Sequence, residues 1–389
     1  MLKASWLVCA CLVLGCGDDG KASSDTTPPV ITLVGASQIN QPQNAAYADL
    51  GATATDDVDG DLTAAITITN PVDTAVVGAY QVTYSVSDAA GNPATPVSRT
   101  VNVAAAGPWM TRSSTTTNTL LDVAWSGAIF VIVGDSGTIL TSADGITWMT
   151  RVSGTSHTLT GVAWSGAVFV AVGGLFDTAG TILTSPDGIT WTPQVSGVAN
   201  RLDGVTWSGT QFVAVGGGVV QGDPAIILTS PTGTTWTPRT PGTINQLLRL
   251  TWNGTQFVAV GQVGTVMTSP DGITWTPQTS GATAALNDVA WNGSQFVAVE
   301  AFGLIFTSPS ATAWTQQVSG TSMRLYGVQW NGAQYVVTGN QGVILTSSNG
   351  TTWSPATSGT TNALIGVGWS PELSLFVAVG ASGTIVTRQ

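Results

Sequence analysis

LTGVAW (159–164), VFVAVG (168–173), TILTS (181–185) and GITW (188–191) are four short apolar stretches parted by turns bearing glycine, serine and aspartate. Each is of strand length and rich in β-branched or aromatic residues, so the unit reads as four antiparallel strands, A to D. The unit recurs. Strand A ends on Trp125, Trp164, Trp207, Trp252, Trp291, Trp330 and Trp369. Strand D opens on Trp109, Trp148, Trp191, Trp236, Trp275, Trp314 and Trp353. Successive members of both series are 39, 43, 45, 39, 39 and 39 residues apart. Four strands at a period of about 40 residues predict an all-β, seven-bladed β-propeller over 108–389. The last repeat, LIGVGW (364–369), LFVAVG (375–380) and GTIVT (383–387), has no strand D, whereas PWMT (108–111) precedes any strand A. The N-terminal strand is therefore expected to complete the last blade, which removes an unpaired edge.

A row of tryptophans suggests either a sugar-stacking platform or a repeated core. Both members of each blade lie at the same end and in apolar strand context, which favours the core. At roughly 200 Å² and 25 cal/mol/Å², two buried tryptophans per blade contribute on the order of 10 kcal/mol before entropy losses.

The C–D turns read SADGITW (142–148), SPDGITW (185–191) and SPDGITW (269–275). They resemble the Asp-box of sialidase-type propellers, shortened by one residue, and the repeats of seven-bladed photosystem II assembly and stability factors. Thr232, Ser310 and Asn349 stand where the aspartate belongs in three other blades, so the box does not read as a ligand site. The resemblance implies a propeller that binds or assembles other molecules. It also leaves open a carbohydrate-active hydrolase or lyase.

The N-terminal segment carries Lys3, an apolar stretch from Ala4 to Leu14, and then VLGC (13–16). Residues 1–15 read as an export signal, and the ending resembles a bacterial lipobox. That resemblance implies acylation of Cys16 and, with Gly17 following, sorting to the outer membrane or cell surface. Residues 16–27 form a polar tether. Residues 28–104 alternate in short strands and predict a small β-sandwich. PVI (29–31), YADLGA (47–52), DGDLT (59–63) and GAYQVTY (78–84) resemble bacterial surface Ig-like domains of the HYR and cadherin-like type. Such a domain implies a spacer or adhesion module. The run DDVDGD (56–61) makes Asp57, Asp59, Asp61 and Asp88 candidate calcium ligands, with a solvated turn as the alternative.

Only 8% of residues are charged, the net charge is −11, and no lysine follows Lys21. Such a surface cannot neutralise phosphates, which argues against nucleic acid as a partner and leaves a lipid anchor as the membrane contact. The expected partner is an envelope or extracellular protein or glycan, bound by a monomer. No cofactor beyond the possible calcium is implied.

Strand order puts the A–B and C–D turns at one end of each blade and the B–C and D–A loops at the other. The two long intervals locate insertions in B–C loops, GGLFDTAG (173–180) and GGGVVQGDPA (216–225). Phe176, Asp177, Gln221 and Asp223 are therefore candidate ligand contacts, with drift in loop length as the alternative. His157, Arg201, Arg249, Arg324 and Tyr326 lie at the same end. His157, the only histidine, reads as a solvated loop residue and cannot anchor a multi-histidine metal site. Asp122, Asp203 and Asp288 near the starts of strand A are the carboxylates an enzyme would use. Arg249 holds the equivalent strand position.

Overall fold

A computed structural model describes residues 25–43, 47–105, 107–175, 180–217 and 224–389. Cys16, Phe176, Asp177, Gln221 and Asp223 lie outside the described residues. The chain divides into two compact units, a smaller one within the first 102 residues and a larger one containing 103–389. Among the described residues, no helix is long and apolar enough to cross a membrane.

The smaller unit has two antiparallel sheets. One orders Val30–Leu33, Ala52–Asp56 and Gly60–Asp61; the other orders Gln38–Pro42, Val97–Ala104, Gly78–Ser85 and Thr67–Thr69. Alternate residues are buried: Ile31, Ala52 and Ala54 from the first sheet, Val82, Tyr84, Val101 and Val103 from the second. Arg99 is fully buried and forms an ion pair with Asp49. It also donates to Ala36 O at 3.0 Å and Gly51 O at 3.2 Å, and Tyr84 Oη donates to Asp49 at 2.6 Å. A buried guanidinium is tolerated because carbonyls and a carboxylate surround it.

Among the described residues of the larger unit, seven four-stranded antiparallel sheets follow one another. In the second, the strands are Leu159–Trp164, Phe169–Gly174, Gly180–Ser185 and Thr192–Val195, hydrogen-bonded in that order. The seventh comprises Leu364–Ser370, Leu375–Gly380 and Ile385–Arg388 and is completed by Met110–Arg112. Thr387 pairs with Met110 and Ile385 with Arg112, as the missing strand D requires. Strand B is buried along its whole length because the sheets stack face on face, which explains continuous apolar runs such as FVAVG in place of alternation. Val131, Val133 and Ile139 of the first sheet pack on Leu159, Val162, Phe169 and Trp191 of the second. The seventh sheet meets the first in the same way, through Val377, Val379 and Ile385 against Leu120, Phe130 and Trp148.

The tryptophans are part of this core. The aromatic residue near the start of strand B (Phe130, Phe169, Phe212, Phe257, Phe296, Tyr335 and Phe376) lies 4.3–4.6 Å from the strand-A tryptophan and 6.1–6.4 Å from that of strand D, ring to ring. Six strand-D indoles donate to the carbonyl three residues back, at 2.8–3.3 Å. Trp109 has no C–D turn before it, and its buried Nε1 has no hydrogen-bond partner. The aspartates of the C–D turns build those turns. One carboxylate oxygen of Asp144, Asp187 or Asp271 accepts the amides two and three residues on, at 2.8–2.9 Å. The amide hydrogen bond from Thr147 leads in holding the Asp144 carboxyl down at about 2. Asn349 makes the same two bonds at 3.0 and 2.9 Å, so the turn needs an acceptor oxygen but no charge.

Candidate binding site at the channel mouth

Strand A of each sheet packs against strand A of the next, and that of the seventh against that of the first. Every strand A carries a β-bulge at the same place. Leu159 pairs with Gly173 and Gly161 with Val172, which leaves Thr160 unmatched. The same slip follows the opening leucine in the other six. A regular pleat sends successive side chains to opposite faces, but a bulge re-aims them, so two consecutive positions face the channel. The bulge residues of all seven strands, Asp203, Asn287 and Tyr326 among them, line one cavity of about 290 Å³. Asp122, Arg249 and Asp288, one position later, line a second cavity of about 250 Å³ further along the strands. Glycine holds this later position in the other four sheets; a Cβ on Gly204 would stand 2.8 Å from Leu248 O of the neighbouring strand.

The first cavity opens among the D–A and B–C loops and gathers Arg201, Arg249, Arg324 and Tyr326. Arg201 forms an ion pair with Asp203, whose side chain is 3% exposed. Gln246 Nε2 donates to the second Asp203 oxygen at 2.8 Å. Arg324 donates to Asn287 Oδ1 at 2.9 Å and lies 5.2 Å from the centre of the Tyr326 ring. Arg249 bridges strands: it donates to Thr160 O at 2.9 Å, to Leu248 O at 3.1 Å and to Asp203 O.

Deeper in the channel, the aspartates fasten strand to strand. Asp122 accepts Val123 N and, from the next sheet, Val162 N, both at 2.9 Å. Asp288 accepts Val289 N at 2.8 Å and Val328 N of the next sheet at 2.9 Å. Burial pushes the Asp288 carboxyl up to about 7 against the pull of Arg249. Burial likewise raises Asp122, against Arg249, and Asp203, against Arg201.

The sequence grouped Asp203 with Asp122 and Asp288; the structure sets it one residue earlier, on the bulge, in the other cavity. His157 lies in a loop, half-buried and not freely solvated. Its Nδ1 lies 2.7 Å from Thr181 Oγ1. Asn118, Asn245 and Asn362 hold the same place in other repeats and donate to Thr138, Thr265 and Thr384 at 2.8–2.9 Å. Sequence reasoning missed Thr160, Gln246, Gln262 and Asn287 in the mouth. A signal was available: strand A opens on leucine in all seven repeats, while its second residue changes every time it bears polarity.

In the smaller unit, Asp57 is exposed, Asp61 accepts Thr63 N at 2.9 Å, and Asp88 accepts Asn92 N and Nδ2 at 2.7 Å. Asp59 instead groups with Asp25 and Asp56, with carboxylate oxygens within 4.8 Å of one another. Asp25 Oδ2 and Asp56 Oδ2 are buried and have no hydrogen-bond partner.

Residues 31–103 match the family model of a bacterial surface protein Ig-like domain. No curated protein matches the chain. Among solved structures, YCF48 bound to D1 peptide is similar at a TM-score of 0.59 and 17% identity, over 72% of this chain and 94% of that one. YCF48 from Cyanidioschyzon merolae gives 0.58 and 16%, over 72% and 98%. The WD40 β-propeller domain of Doa1 gives 0.59 and 12%, over 73% and 96%. The larger unit thus has a propeller-like fold, joined in sequence to an Ig-like surface domain.

Proposed function

We propose that the chain is an exported lipoprotein, that its seven sheets form a closed seven-bladed propeller, and that the channel mouth binds a protein partner without catalysis. Acylated Cys16 anchors it at the outer membrane or cell surface, residues 16–27 tether it, and the Ig-like unit is a spacer. The observation that carries this reading is the convergence of Arg201, Arg249 and Arg324 with Tyr326 at one end of the channel. The chain has only eight arginines, and its net charge is −11. An exposed Arg324 on an aromatic face is the kind of group that anchors interfaces. The bacterial surface match supports the location, and a similar propeller, YCF48, has been solved with a bound peptide. Phe176, Asp177, Gln221 and Asp223, outside the described residues, are proposed as further contacts from the sequence alone. Hydrolysis by Asp122 and Asp288 is the weaker reading, because both oxygens of each accept backbone amides.

The test is to probe peptide and glycan arrays with the full chain. Peptides should bind, and Arg324→Gln should weaken them about tenfold, the worth of one charged hydrogen bond. Glycan binding alone, or glycan turnover that disappears in Asp288→Asn, would replace this reading.

A second reading concerns the smaller unit: a calcium ion held by Asp25, Asp56 and Asp59. Two buried carboxylate oxygens with no proton donor favour it. Calcium should raise the unfolding temperature of the full chain and lose that effect in Asp56→Asn; calorimetry with no heat of binding would rule it out.

A further inference from the structure

The tip of the B–C turn takes the same register in five described sheets, and its occupants divide into two kinds. Ser136, Gln341 and Ser382 hold it in the first, sixth and seventh sheets, Val263 and Phe302 in the fourth and fifth. Val263 is 65% exposed and Phe302 71% exposed. Val263 also has a φ of +55°, a conformation in which a β-branched residue is strained. Neither solvation nor local conformation favours valine there, so a gain from covering it on contact with a partner would offset both. The D–A loop adds Ile244, 68% exposed, where threonine stands in the same register at Thr117, Thr283 and Thr361.

These three side chains sit on loops that are bonded in series. Asn245, next to Ile244, donates to Thr265, two residues past Val263, at 2.8 Å. Gly264 N donates to Ala284 O at 2.7 Å, and Ala301 N, next to Phe302, donates to Ala285 O at 3.0 Å. A Cβ built on Gly303 would meet Thr321 O and Met323 O, on the loop that leads into Arg324. Gln262, beside Val263, and Arg324 both line the channel mouth. Three exposed apolar side chains therefore lie on bonded loops of the fourth and fifth sheets, beside a mouth that gathers three arginines.

We infer that the three form a ledge that docks an extended segment of a partner protein, with its apolar side chains on Ile244, Val263 and Phe302 and a carboxylate reaching Arg324. The inference rests on the binding reading above and specifies its ligand. Charge complementarity selects an acidic partner in a chain that is itself acidic elsewhere. The apolar anchors give affinity, and the arginine sets register.

The experiment selects peptides from a randomised display library against the full chain and measures their affinities by fluorescence anisotropy. The variant Ile244→Thr/Val263→Ser/Phe302→Ser carries, at its first two sites, residues that other repeats of this chain already hold in that register. It should keep its unfolding temperature. Selected peptides should combine apolar residues with an acidic one, and the triple variant should weaken them about tenfold or more. Peptides that lose affinity in Arg324→Gln but keep it in the triple variant would overturn the ledge and leave the mouth reading standing. Selection of no peptide at all would overturn both.

Discussion

Asp288 takes two backbone amides, yet its acid form is favoured up to about pH 7 because burial outweighs the attraction of Arg249. The consequence for stability has a definite sign. An unfolded aspartate releases its proton near pH 4, whereas the folded one keeps it to about 7. Between those values the native state binds more protons, so stability falls as pH rises through the window and levels off above it. The unfolding temperature should be higher at pH 5 than at pH 8. In Asp288→Asn, which copies the protonated acid, that difference should shrink; an unchanged pH profile would assign the proton elsewhere. Residues of this kind were only half legible in the sequence. Asp122, Arg249 and Asp288 stood out as charges near the starts of apolar strands. Their separation from Asp203 did not, because it depends on a bulge, and a bulge breaks the two-residue alternation on which strand reading relies. The partial burial of His157 was missed for a related reason. Its role appears only when the repeats are superposed and asparagine is found in its place.

At the scale of the element, the recurring object is a strand-B aromatic ring held between two tryptophans. The strand-A tryptophan stands five residues before that ring in six sheets and seven before it in the last, so the repeating strands and their tryptophans were legible in the sequence. The spacing does not reveal that the rings are tilted and not stacked, at interplanar angles of 38–55°. Phe257 is 1% exposed and touches both Trp252 and Trp275. Phe257→Ala leaves a cavity that two large indoles cannot fill by small shifts, and should cost about 3–5 kcal/mol, read from urea unfolding. A cost under about 1 kcal/mol would mean that neighbouring sheets slide to close the gap.

The whole larger unit turns on its seventh sheet, where the two ends of the unit pair. Trp109 and Trp275 hold the same register, but Trp275 lies within one continuous repeat and Trp109 joins a sheet made otherwise of C-terminal residues. If the larger unit unfolds as one body, Trp109→Ala and Trp275→Ala should lower the same single transition by similar amounts. Two transitions in Trp109→Ala alone would make the last sheet an independent part. That the ends should meet was legible from the missing strand D; the make-up of the mouth was not, because it depends on side chains that the repeat leaves free to vary. The shared sheet also has a consequence in time. Thr387 pairs with Met110, 277 positions upstream. An exported chain emerges from the membrane N-terminus first, so all of that distance must emerge before the two strands can meet. Through that interval Met110–Arg112 is a nascent strand with nowhere to dock, and the chain stays an unclasped necklace. Moving the termini to a loop between two middle sheets would shorten that wait for these two strands and hand it to another pair, so a circular permutant would change the order of folding without changing a contact.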